Sequence, residues 1–151
     1  MGKIYHKIVN LRLVNKLYIV PVMNKFGKII IPVGTIPEKH ELETASFFAE
    51  LGKNVEFLPP SYSKGIYSPD VLIDGQRWEI KSPIGSSKRT IENNYRKAQM
   101  QSENVIFDLT RIEMGEKIAI EKIKQQFNLR TGKIKRIKII TKDKRILDLL
   151  R

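Results

Sequence analysis

Asp70, Glu79 and Lys81 stand in "YSPDVLIDGQRWEIKSP", residues 67–83, among residues that otherwise read as sheet core. Charges against a core are costly unless something pairs them. Asp74-Gly75 between two β-rich runs is the strongest short signal for a two-residue hairpin turn. With that turn, Ile73 pairs with Gln76, Leu72 with Arg77, Val71 with Trp78, and Asp70 with Glu79. The Cβ atoms of directly opposed residues lie about 5 Å apart. Lys81 falls on the same side as Glu79, whereas Val71, Ile73, Trp78 and Ile80 point the other way and supply core. A slip of one residue would bury the charges and expose Trp78, so the register is expected to be firmly held.

Two carboxylates so close repel unless one takes a proton or both share a cation. A hard divalent ion answers this: Mg²⁺, or Mn²⁺ or another divalent ion in its place, takes one or two carboxylates and keeps several waters. Such an ion activates water and stabilises charge on a phosphate oxygen. Lys81 beside it would hold the nucleophilic water or neutralise the developing charge. Asp70 and Glu79 are therefore the expected metal ligands, with the Ile80 carbonyl as a further one, and the expected chemistry is phosphodiester hydrolysis. The alternative is an exposed cross-strand ion cluster, which is worth little energetically.

Charge points the same way. The 151 residues carry 28 Lys and Arg against 16 Asp and Glu, a net charge of +12. Such a chain favours a polyanionic partner, most commonly nucleic acid. There is no cysteine, so a disulfide framework, a thiolate nucleophile and a Cys-type zinc site are excluded. No apolar run is long enough for a membrane span, and no membrane partner is expected. His6 and His40 match no metal-ligand spacing.

The elements that must hold these residues follow from pattern. The length fits a single domain, 1–151, with residues 1–35 as a β-rich N-terminal extension and 36–151 as the catalytic core. Residues 17–33, "LYIVPVMNKFGKIIIPV", read as a hairpin around "NKFG". A helix is expected from the Thr35–Pro37 region to Gly52, followed by a short strand in "VEFLPP" and then the Asp74-Gly75 hairpin. A basic, amide-rich helix spans 89–102, and "NVIFDL" is an apolar strand. "MGEKIAIEKIKQQFNLR" gives an amphipathic helix with Ile118, Ile123 and Phe127 near one side. "KIKRIKIIT" is a strand with one wet face, and "KDKRILDLLR" a terminal turn or short helix. The expected fold is α/β, a mixed central sheet with flanking helices. Trp78, Phe47, Phe48 and Phe107 read as core and Asp108 as a structural partner, while Tyr62, Tyr67 and Tyr95 are left open.

Pro69-Asp70 followed by Glu79-Ile80-Lys81, in that order of elements, resembles the PD-(D/E)XK (restriction-endonuclease-like) nuclease superfamily. The resemblance spans residues 37 to about 110. It implies another acid on the first helix, eleven residues before a terminating glycine, which here is Glu41 before Gly52, with Glu43 as competitor. More narrowly, "HELETASFFAELGKNVEFLPPS", "SPDVLIDGQRWEIKSP" and "NNYRKAQMQSENVIFDL" look like the tRNA-nuclease C-terminal domain of CdiA-type contact-dependent growth inhibition toxins. That resemblance implies a metal-dependent RNase acting on tRNA, a cognate immunity protein and a cytoplasmic site of action. It also implies that Gln101 lies near the catalytic carboxylates. This chain departs from the family in beginning with its own Met and an extra β-rich segment. On the helix after the motif, Lys88, Arg89, Arg96 and Lys97 are candidates to grip phosphates, and Asn94 and Gln101, seven apart, share a face. Binding through several such contacts would weaken steeply with salt. The alternatives are a DNA endonuclease of restriction or resolvase type, and a basic nucleic-acid-binding domain without turnover.

Overall fold

A computed structural model describes residues 11–14, 18–21, 26–61, 65, 67–129 and 132–151. Ile29–Ile30 (β3), Val55–Phe57 (β4), Val71–Ile73 (β5) and Gln76–Lys81 (β6) form one half of a seven-stranded sheet. Asn104–Asp108 (β7), Arg136–Ile140 (β8) and Ile146–Leu150 (β9) form the other, and the strands lie side by side in chain order. β4, β5 and β6 are an antiparallel meander, whereas β6, β7 and β8 run parallel. Parallel neighbours need a crossover, which helices supply. Thr90–Gln101 (α2) joins β6 to β7, and Glu116–Asn128 (α3) joins β7 to β8.

Alternation along the strands gives each face its own cover. Val105, Phe107, Ile137 and Ile139 pack beneath α2 and α3, with Ile91, Ala98, Ile123 and Phe127 from the helices. Val71, Ile73, Trp78, Ile80 and Ile106 face the other way, under Lys39–Glu50 (α1), which contributes Ala45 and Phe48. α1 opens with a capping box in which Glu38 and Glu41 satisfy each other's backbone N–H. Its far end is tied down where the Gly27 N–H donates to the Ala49 carbonyl at 2.8 Å. A Cβ at Gly27 would lie 1.7 Å from the Lys53 carbonyl oxygen, so no larger residue fits that crossing.

The Asp74-Gly75 hairpin forms with the expected pairing of Ile73 with Gln76, Leu72 with Arg77 and Val71 with Trp78. Both turn residues have positive φ, 47° and 81°, as a type I′ turn requires. Among the described residues no helix is long and apolar enough to cross a membrane.

Three expectations are corrected, and the question left open at Tyr95 is answered. Among the described residues, the runs within 17–33 do not pair with each other. Tyr18–Pro21 (β2) pairs antiparallel with Leu11–Val14 (β1), and β3 joins the main sheet parallel to β4. Residues 22–25, which include the start of the expected turn, lie outside the described residues. The tail "ILDLL" is strand β9, because the turn after Thr141 returns the chain to the free edge of β8. On α3 the buried stripe is Ala119, Ile123 and Phe127, four apart, which leaves Ile118 exposed. Tyr95 is buried against Phe107, its ring stacked at 6.2 Å, because its stripe of α2 faces the sheet.

Candidate active site

The hairpin register places Asp70 one step beyond β5, opposite Glu79. The next step would set Pro69 against Ile80. Proline has no N–H, so it cannot donate to the Ile80 carbonyl, and both ladder groups of Ile80 point to that side. The Ile80 N–H is taken by Asp70, whose Oδ2 accepts it at 2.7 Å. The order Pro-Asp thus leaves a backbone carbonyl without its ladder donor beside two carboxylates.

Glu79 lies on the face covered by α2 and is 1% exposed. Its Oε1 accepts from Lys81 Nζ, and Lys81 Nζ also donates to Gln101 Oε1 at 2.8 Å. Gln101 comes from the last turn of α2, so the helix crossover closes the site over the hairpin. Glu79 Oε2 is buried and no donor among the described residues reaches it, which leaves the opposing Asp70 carboxylate as the group it can share a proton with. Burial, reinforced by the neighbouring Asp70 charge, pushes the Glu79 carboxyl up to about 8, against the opposing pull of Lys81. Burial also raises Asp70, although the Ile80 N–H and Lys81 oppose it.

Glu41 approaches from α1. Burial raises its carboxyl, and so does the charge of Asp70, which sets the two within electrostatic reach. It does not close up with the pair, because its Oε2 accepts the Glu38 N–H at 2.8 Å in the capping box. Among the described residues no three His, Cys, Asp or Glu side chains gather tightly enough to hold a metal ion. The competing Glu43 is exposed and pairs with Lys39 at 3.8 Å.

Residues of α2 divide along its length. Asn94, Lys97 and Gln101 are spaced three and four apart and form one stripe ending at Lys81. Asn94 Nδ2 donates to the Thr90 carbonyl at 2.8 Å. Lys88 and Arg89 are exposed where the chain enters α2, about 18 Å along the axis from Gln101. The structure therefore gathers Asp70, Glu79, Ile80, Lys81 and Gln101, brings Glu41 near, and leaves Lys88, Arg89 and Lys97 on the surface. The site lies at one end of the central strands β5 and β6, with a buried acid beneath the last turn of α2.

Sequence reasoning passed over Arg111, whose guanidinium hydrogen-bonds to Ser82 beside the motif. No local signal in the sequence marks it, since 29 residues separate the two. It also read Asp108 as structural without naming Thr44, which donates to it at 2.8 Å.

The fold is similar to that of a solved chain from the CdiA-CT/CdiI toxin and immunity complex of Burkholderia pseudomallei. The TM-score is 0.59 at 18% identity, with 83% of this chain and 100% of that one covered. No curated protein sequence matches the chain. The family pattern of the contact-dependent growth inhibition CdiA C-terminal domain matches residues 67–146, which hold Asp70, Glu79, Lys81 and Gln101. That span is more than half of the chain, and the chain belongs to the CdiA C-terminal domain family.

Proposed function

We propose that this chain is a toxin domain that hydrolyses phosphodiester bonds, with RNA, and tRNA in particular, as its substrate. The reading places it with the PD-(D/E)XK nucleases and gives it a divalent ion and a cognate immunity protein. One observation carries it. A carboxylate that is 1% exposed keeps one oxygen that no donor among the described residues reaches, facing a second carboxylate and beside a lysine.

These residues suit a hard cation. Asp70, Glu79 and the Ile80 carbonyl would hold Mg²⁺, an all-oxygen set of the kind that ion takes. When bound, the ion supplies Lewis-acid stabilisation of charge on a phosphate oxygen. The chain's own residues do the rest. An ammonium has three donors, and Lys81 spends one on Glu79 and one on Gln101. The third is left for the attacking water or a phosphate oxygen. Gln101 keeps the ammonium from swinging away, and the burial of Glu79 keeps bulk water off the pair. The surplus of +12 draws a polyanion to the protein. The immunity protein is supported by the likeness to a chain solved as part of a toxin and immunity complex.

The test is cleavage of total tRNA and of plasmid DNA side by side, with Mg²⁺ and with chelator, by wild type and Glu79→Ala. Metal-dependent loss of tRNA alone, abolished by the substitution, is the expected result. Cleavage of DNA instead would keep the site and change the substrate. Failure to cut either would overturn the nuclease reading.

A further inference from the structure

The β6–α2 loop and the β7–α3 loop leave the sheet at the same end, because β6 and β7 are parallel. They are tied to each other there. Arg111 Nε donates to Ser82 Oγ at 3.0 Å, and its Nη2 donates to the Ser82 carbonyl at 3.1 Å. The Glu113 N–H donates to the Ile84 carbonyl at 2.9 Å. Ser82 directly follows Lys81, so the guanidinium is fixed one residue from the motif.

Arg111 is exposed, and among the described residues it makes no ion pair. Tying the loops together does not require a charge, since the Glu113 bond already does so. Two of its N–H groups hold the planar fork in place, and the remaining donors are open to solvent. A guanidinium so held meets a phosphate bidentately and loses little side-chain freedom in doing so. Lys88 and Arg89 stand exposed where that same loop enters α2, without a side-chain anchor among the described residues.

We infer that Arg111 is a substrate-positioning residue that grips a phosphate of the nucleic-acid strand flanking the one cleaved. This rests on the nuclease reading above. The fork sets the strand against the end of β6, so that the neighbouring phosphate falls at Lys81 and the carboxylates.

The experiment is fluorescence anisotropy with labelled total tRNA in chelator, so that nothing is cut, across a salt series. Arg111→Gln, Arg111→Lys and Lys135→Gln are compared with wild type; Lys135 is exposed at the opposite end of the sheet and paired with Glu103. Arg111→Gln should weaken binding about tenfold and lower the slope of log affinity on log salt by about one. Arg111→Lys should restore the slope but only part of the affinity, because an ammonium lacks the fork. In cleavage assays with Mg²⁺, KM should rise in Arg111→Gln while kcat holds. Equal weakening by Arg111→Gln and Lys135→Gln would show a general charge effect and overturn the assignment. So would wild-type binding in Arg111→Gln, or, should that variant not fold, full wild-type affinity in Arg111→Lys. A wild type that neither binds nor cuts nucleic acid would overturn the nuclease reading itself, a distinct outcome.

Discussion

Thr44 on α1 donates a hydrogen bond to Asp108 at the end of β7, across 64 residues and 2.8 Å, with both side chains buried. The other oxygen of Asp108 accepts from the Thr110 N–H at 3.0 Å and from its hydroxyl at 2.6 Å. Both oxygens of Asp108 are thus engaged, one fixing α1 to the sheet and the other closing the turn that follows β7. Glu41 lies one turn before Thr44, so the same bond sets where Glu41 stands relative to Asp70.

Thr44→Val keeps the shape of the side chain and removes the donor. A buried acceptor left without its partner costs about 1–3 kcal/mol. Urea denaturation should show that loss, and Thr44→Ser should recover most of it. Unchanged stability in Thr44→Val would mean that the bond does not hold α1.

Stability should depend on pH through Glu79. Its folded carboxyl lies at about 8 against 4.5 when free, so the folded chain binds more protons than the unfolded one between those values. The contribution is fully present below about 4.5 and is lost as pH rises through about 8. Asp70 and Glu41 are raised too and steepen the fall. Thermal unfolding in chelator should show a loss on the order of 5 kcal/mol across that window. Glu79→Gln should flatten the profile and melt higher than wild type at pH 8. A flat wild-type profile would contradict the burial of Glu79.

Divalent ions should reverse that loss. Ions compete with protons for the carboxylates, so Mg²⁺ or Mn²⁺ should raise the melting point more at pH 8 than at pH 5. At ten times the dissociation constant the gain is about 1.4 kcal/mol, or a few degrees for a chain of this size. Asp70→Ala should abolish it. Equal shifts in wild type and Asp70→Ala would place the ion elsewhere.

Gln101 should act through Lys81. Gln101→Ala releases the ammonium from one of its two holders and should lower kcat about tenfold with little change in KM, within the range of a lost positioning contact. Lys81→Met should remove turnover altogether. A Gln101→Ala enzyme with a changed KM and an unchanged kcat would make Gln101 a substrate contact instead.

The hairpin was legible because its determinants are local. Asp74-Gly75 admits one tight turn, and from that turn the register and the opposition of Asp70 and Glu79 follow. α1 was legible from its apolar spacing, first-turn acids and terminating glycine, α3 from its apolar spacing, and α2 from composition. What the sequence hid depends on distant packing. "ILDLL" is too short and too uniformly apolar for its period to separate strand from helix. β3 became a sheet strand because β4 offers it a parallel edge, which no residue nearby announces. The sequence showed that Glu79 faces away from Trp78, but not that α2 would cover that face as well. Capping by Glu41 was visible as an acid in a first turn; its cost to the acidic cluster was not.

The burial of Glu79 against a second carboxylate has a consequence for descent. A residue at that place with no charge would pack against α2 without desolvating a carboxylate, so the most stable sequence for this fold lacks the acid. Mutation supplies such variants freely, and a lineage filtered for folding alone would shed Glu79 early. The proposed nuclease function accounts for its presence beside Asp70 and Lys81: turnover would keep an acid that folding alone would not.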